Sequence, residues 1–141
     1  MKTILIVGDP NSRDFVNRAY GDLAEAIFAS SVEEAKTLIA KSPPSLVIGT
    51  LAFDESRFLT LLPLTEASQV KVVVVDCPYT FMKDEALQLV KSYAKEMNVA
   101  AWWDMRLALA KAGAEGAARE IREIVENLLF GGSPTVSTEF S

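Results

Sequence analysis

Four consecutive valines, Val72 to Val75, constrain what this chain can fold into more than any other feature of it. A strand with one wet face alternates apolar and polar residues, whereas β-branched residues at every position call for cover on both faces. The run from Val70 to Val75 therefore predicts a central strand of a parallel sheet with helices above and below. Shorter apolar runs predict four more strands. These are Ile4-Leu5-Ile6-Val7, stopped by Gly8-Asp9-Pro10; Ala26-Ile27-Phe28-Ala29; Leu46-Val47-Ile48, closing at Gly49-Thr50; and Val99 to Trp103, before Asp104.

The intervening segments carry helical spacing. The first helix is capped by Asn11 or Ser12 and places Phe15, Val16, Ala19, Tyr20 and Leu23 on one side. The second opens with a capping box, Ser31 as cap and Glu34 at the third helical position, and is broken by Pro43-Pro44. A short third helix between Asp54 and Leu64 is limited by Pro63, and a fourth runs from Phe81 to about Met97. The last carries Ala117, Ile121, Ile124, Val125 and Leu128, and Gly113 and Gly116 predict that it starts late, near Glu115, after a loose or separate turn.

Five strands alternating with five helices specify an α/β fold: a three-layer, doubly wound, five-stranded parallel sheet with right-handed crossovers. The flavodoxin-like strand order 2-1-3-4-5 accommodates them. With 141 residues, half of them hydrophobic, the chain suits one domain over residues 1–130 and a small, polar, flexible C-terminal tail over 131–141. In that strand order the functional crevice lies at the carboxyl ends of the strands, rimmed by Gly8, Asp9, Thr50, Asp76 and Asp104.

Composition narrows the chemistry. Nineteen acidic residues against 14 basic ones leave a formal charge of −5, which disfavours nucleic-acid binding. No apolar run approaches the roughly 18 residues that span a bilayer, so no membrane partner is expected. A single cysteine, Cys77, forms no internal bridge, and a reducing cytoplasm fits best. The absence of histidine removes the commonest general base and the commonest metal ligand together.

Leu5-Ile6-Val7-Gly8-Asp9, Ser31-Val32-Glu33-Glu34-Ala35 and Ser45-Leu46-Val47-Ile48-Gly49-Thr50 stand in the order and spacing of a first strand with its acidic pair, a second helix start and a third strand. In these the chain resembles the response-regulator receiver domain, the CheY-like family of two-component signalling, over about its first 130 residues. The resemblance implies a magnesium-dependent phosphoryl-accepting aspartate, and it fails at the residues that would do that work. Gly8 stands at the first of the two acidic positions after strand one, and Asp9 at the second. Thr50 stands at the phosphoacceptor position, Asp76 at the hydroxyl position ending strand four, Asp104 at the lysine position and Ala101 at the aromatic switch position. A neutral hydroxyl with no neighbouring base is a poor substitute for a carboxylate nucleophile. The crevice is then expected to be anionic and to repel a phosphoryl group, since like charges 4 Å apart repel by about 4 kcal/mol at an effective dielectric near 20.

The leading reading is a degenerate pseudo-receiver that is no enzyme, needs no cofactor and works by docking a protein partner or forming a homodimer. No DNA-binding or catalytic output segment is expected beyond the domain. The alternative is a flavodoxin-like protein binding a small ligand or divalent metal, with Asp9, Asp76 and Asp104 as oxygen ligands for magnesium or calcium. The plainer reading of those aspartates is solvated turns and a helix cap. Trp102 and Trp103 point to opposite sheet faces, and core packing of both is the plain reading. The sharper one leaves one of them part-exposed as a partner surface between the fourth helix, fifth strand and fifth helix. Gly8 to Arg13 lacks the glycines and lysine of a phosphate-binding turn, and nothing beside Cys77 marks a reactive thiol.

Overall fold

The structure, a computed structural model, describes residues 2–9, 12–51, 57–77 and 83–131. Strands β1 (Thr3–Val7), β2 (Glu25–Ala29), β3 (Leu46–Thr50), β4 (Lys71–Asp76) and β5 (Ala101–Asp104) form one sheet in the order β2-β1-β3-β4-β5. Every pairing is parallel. The helices are α1 (Arg13–Ala19), α2 (Val32–Lys41), α3 (Leu62–Ala67), α4 (Asp84–Glu96) and α5 (Met105–Phe130), with a 3₁₀ turn over Arg57–Leu61. The predicted fold class and strand order are those observed.

Both faces of the sheet are covered, as the valines demand. Val73 and Val75 pack with residues of α1 and α5, among them Val16, Ala19, Ile121 and Val125. Val72 and Val74 pack on the other side with Val32, Ile39, Leu62, Leu87 and Ala94 from α2, α3 and α4. A Cβ on Gly49 would lie 1.9 Å from Phe58 Cε2, so the glycine lets this ring lie flat on β3. Ser31 caps α2, its hydroxyl accepting from Glu34 N at 3.1 Å, a contact worth about 1 kcal/mol. The Glu34 carboxylate completes no box with Ser31; it accepts from Ser30 Oγ instead.

Three boundaries differ from expectation. Ser12 stands at the N-cap of α1 without capping through its side chain, and its hydroxyl donates to Asp9 O at 2.6 Å. Pro63 opens α3 rather than limiting a helix before it, because a first-turn residue has no helical partner for its N–H. The last helix starts at Met105, not near Glu115. The glycine signal was nevertheless physical, for Gly113 has φ 70° and ψ −173° and divides α5 into Met105–Ala112 and a longer helix after it. The expected helix start at Phe81, the Asn11 cap, Asp54 and most of the tail lie outside the described residues.

Candidate functional site at the carboxyl end of the sheet

Parallel strands end together, so the last residues of β1, β3, β4 and β5 share one edge. The register sets Val7 beside Gly49, Thr50 beside Val75 and Asp76 beside Asp104. Within this edge the expected residues fall into two groups. Gly8 and Thr50 abut: a Cβ on Gly8 would lie 3.0 Å from Thr50 Oγ1. Thr50 shares its sheet face with Ile48, on the side of α1 and α5, while Asp76 follows Val72 and Val74 onto the opposite face. Asp9 is exposed beyond β1, and its carbonyl accepts from Ser12 N at 2.9 Å.

Asp104 has a structural task. Its carboxylate accepts from Leu107 N at 3.0 Å as the N-cap of α5. Asp76 is the more unusual residue, with a side chain only 1% exposed. Its Oδ2 accepts from Arg106 Nη2 at 3.0 Å, and its Oδ1 accepts no hydrogen bond among the described residues. Burial pushes the Asp76 carboxyl above the ordinary carboxylate range. Arg106 opposes that rise, neighbouring Asp104 adds to it and Lys91 on α4 lowers it.

Arg106 went unforeseen and corrects the expectation of a wholly anionic crevice. A guanidinium already sits on one of its aspartates, and the Lys91 ammonium, 5.6 Å from the Trp102 ring centroid, adds a second positive charge. The signal was available in the helix-forming run Met105-Arg106-Leu107-Ala108-Leu109-Ala110, which brings an arginine one turn from β5 once Asp104 is read as a cap. Asp9, Asp76 and Asp104 do not gather: no group of three or more acidic or thiol side chains among the described residues is placed to hold a metal ion.

The tryptophans follow the plainer reading. Both are buried, so neither presents an exposed indole to a partner. Trp102 packs with α2, α3 and α4, while Trp103 lies on the α1 and α5 side and donates from Nε1 to Glu120 Oε1 at 3.0 Å. Apolar groups are exposed on the two helices that flank β5, Leu89 (74%) and Tyr93 on α4 and Leu107 (51%) on α5, and also at Phe130, the end of α5, and Ile27 on β2. A cavity of about 120 Å³ lies at the opposite, amino end of the sheet, between Thr3, Ile27, Leu38 and Pro44, and is too small for a nucleotide.

No protein-family model and no curated protein sequence matches the chain. Solved structures do. The N-terminal domain of the nisin resistance regulator, a lantibiotic response regulator, aligns over 84% of this chain and 99% of its own at 13% identity, with a TM-score of 0.57. The N-terminal domain of a response regulator receiver protein from Methanoculleus marisnigri JR1 aligns over 73% and 83% at 22% identity, with a TM-score of 0.51. The chain has the receiver-domain fold. The N-terminal domain of an uncharacterized protein from Wolinella succinogenes shares it, over 72% and 80% at 20% identity, with a TM-score of 0.56.

Proposed function

We propose that this receiver-fold chain is a signalling module that acts through protein–protein contact and takes no phosphoryl group at the end of β3. The observation that carries the reading is Thr50 at that position, abutting Gly8. An acyl phosphate needs a carboxylate nucleophile, and magnesium needs carboxylates to hold it. Gly8 and Thr50 supply neither, Asp9 lies exposed beyond β1 and gathers with no other two carboxylates among the described residues, and Asp76 is turned to the other face and occupied by Arg106. The residues present do not fit the ion, so the reading includes no magnesium and no catalysis.

Contact is supported by apolar side chains exposed on both helices that flank the edge strand β5: Leu89 and Tyr93 on α4, Leu107 on α5. Leucines left in water on neighbouring elements mark a surface that gains from being covered by a partner protein or a second copy. The acidic balance of the chain argues against nucleic acid as that partner. No described helix is long and apolar enough to cross a membrane. With one buried thiol and no disulfide, the module is assigned to the cytoplasm.

Incubation with acetyl phosphate and magnesium, followed by intact-mass measurement, tests the first half. An unchanged mass is expected, and a labile phosphoryl adduct refutes the reading. Light scattering across a concentration series, with Leu89→Ser as the comparison, tests the second. Self-association weakened by that variant supports a homodimer, while a monomer at every concentration leaves a different protein as the partner.

A further inference from the structure

We propose that Met105–Ala112 is a strap, a short helix held on the carboxyl edge of the sheet by the Asp76–Arg106 ion pair and able to unwind and lift away between its fixed ends, Asp104 on β5 and the break at Gly113, when that pair is broken. The inference goes beyond the contact reading above and stands without it, because it concerns how this corner is held, whatever the domain binds.

The strap is poorly anchored in every other respect. Its eight residues fall short of the roughly 12–15 that an isolated helix needs. Five of them, Arg106, Leu107, Ala110, Lys111 and Ala112, are exposed, and only Ala108 is buried, with Met105 and Leu109 half-buried against the core. At its far end Gly113 interrupts the helical ladder with φ 70° and ψ −173°, and nothing lies within 4 Å of where its Cβ would be. The glycine is therefore there for its backbone conformation and not for lack of space. Past the break, a Cβ on Gly116 would lie 2.2 Å from Ala112 Cβ, so the two helices meet at a tight corner and do not run on as one.

Beside the small apolar contact of Ala108, Met105 and Leu109, what holds the strap down is polar: the Asp104 cap at its start and Arg106 reaching back to Asp76 on β4. The Asp76 carboxylate has left water for a single hydrogen bond, with Oδ1 unpartnered among the described residues. Docked, the ion pair holds that charge in a dry site. With the strap lifted away, Asp76 and Arg106 are each hydrated separately. Such an arrangement has two separate solutions and no comfortable middle, which is what a latch requires. Among the described residues, the charged groups facing Asp76 are Arg106 on the strap, Asp104 at the end of β5 and Lys91 on α4. Opening uncovers Ala108 and the inner sides of Met105 and Leu109 beside exposed Leu107, so the latch controls how much apolar surface this corner offers to a partner.

Hydrogen–deuterium exchange on the full chain tests the latch. Asp76→Asn and Arg106→Gln are each expected to speed exchange of the Leu109–Ala112 amides roughly 10- to 100-fold, the scale of one lost charge-assisted hydrogen bond, with the Val72–Val75 amides unchanged. The double variant is expected to exchange no faster than either single one. Gly113→Ala, which leaves both charges in place, is expected to loosen the strap as well, because alanine resists φ 70° and draws the strap towards a continuous helix. Unchanged strap exchange, additive effects in the double variant, or equal acceleration in Val72–Val75 overturns the proposal.

Discussion

Two arginine–aspartate pairs in this chain share their chemistry and differ in their surroundings. Arg122 grips Asp22 with two nitrogens, Nη1 to Oδ1 at 2.6 Å and Nη2 to Oδ2 at 3.0 Å, and also donates to Ala19 O at 3.2 Å, tying α5 to the turn after α1. Asp22 remains 65% exposed, and the Arg122 hydrogen bond holds its carboxyl below the ordinary carboxylate range. Asp76 receives one bond from Arg106, is almost wholly buried, and is pushed above that range by its burial. The two-pronged pair is the better hydrogen-bonded one, yet the single-pronged pair holds more in balance. Solvent shares the charge of Asp22 with Arg122, whereas a buried carboxylate depends on its one cation.

The largest test of this contrast is Arg106→Ala. It leaves Asp76 charged in a dry site, and urea unfolding at neutral pH is expected to show a loss of roughly 2 kcal/mol, less if the strap opens to hydrate it. A loss no greater than that of Arg122→Ala breaks the comparison. Acidification sharpens it, because the two aspartates respond with opposite signs. The folded carboxyl of Asp76 is raised, so the cost of its charge is present above that raised value and is relieved as the pH falls through it towards about 4. Unfolding at pH 7 and pH 4.5 is therefore expected to show the deficit of Arg106→Ala shrinking on acidification. The folded carboxyl of Asp22 is lowered, so its contribution is complete above about 4 and is lost as the pH falls through the lowered value.

Asp76→Asn comes next, with an expected loss of about 1.5 kcal/mol, smaller than that of Arg106→Ala because it removes the buried charge together with its penalty and forfeits only the charge-assisted hydrogen bond. Thermal unfolding that shows it as damaging as Arg106→Ala would mean that the pair itself stabilises the fold. Asp22→Asn is expected to have the smallest effect at neutral pH. Raising the salt to 1 M, where the Debye length is about 3 Å, is expected to remove most of what remains. The Asp76–Arg106 pair, with its carboxylate out of solvent, is expected to keep its effect under the same conditions.

The same contrast explains what was legible in the residues. Elements whose signal is local and repetitive were read correctly: the valines of β4, the apolar runs of β1 and β3, and the Ser31 cap. Boundaries set by a single residue were harder to place. Pro63 suits a helix start as well as a stop, and Gly113 marks a break whose two sides are both helical. The tryptophans were ambiguous because alternation along a strand assigns faces and leaves exposure to the covering helices. Arg106 was missed for a related reason. A cation three elements away from Asp76 in no way announces itself beside it, and treating Gly113 as the edge of a loose turn hid the helix that delivers it.

The chain order of apolar runs and helical spacings was sufficient by itself for the doubly wound sheet, its strand order and the row of residues at its carboxyl edge, because periodicity and short connections act locally and add up along the chain. It also placed a hydroxyl and a glycine, Thr50 and Gly8, where the receiver resemblance implies carboxylates. Only the tertiary structure decided which of those edge residues meet. It turned Thr50 and Asp76 to opposite faces, gave Asp104 to a helix cap and Arg106 to Asp76. The reason is physical: a charge taken out of water must find its partner through space, and that partner is chosen by packing, which no local pattern records.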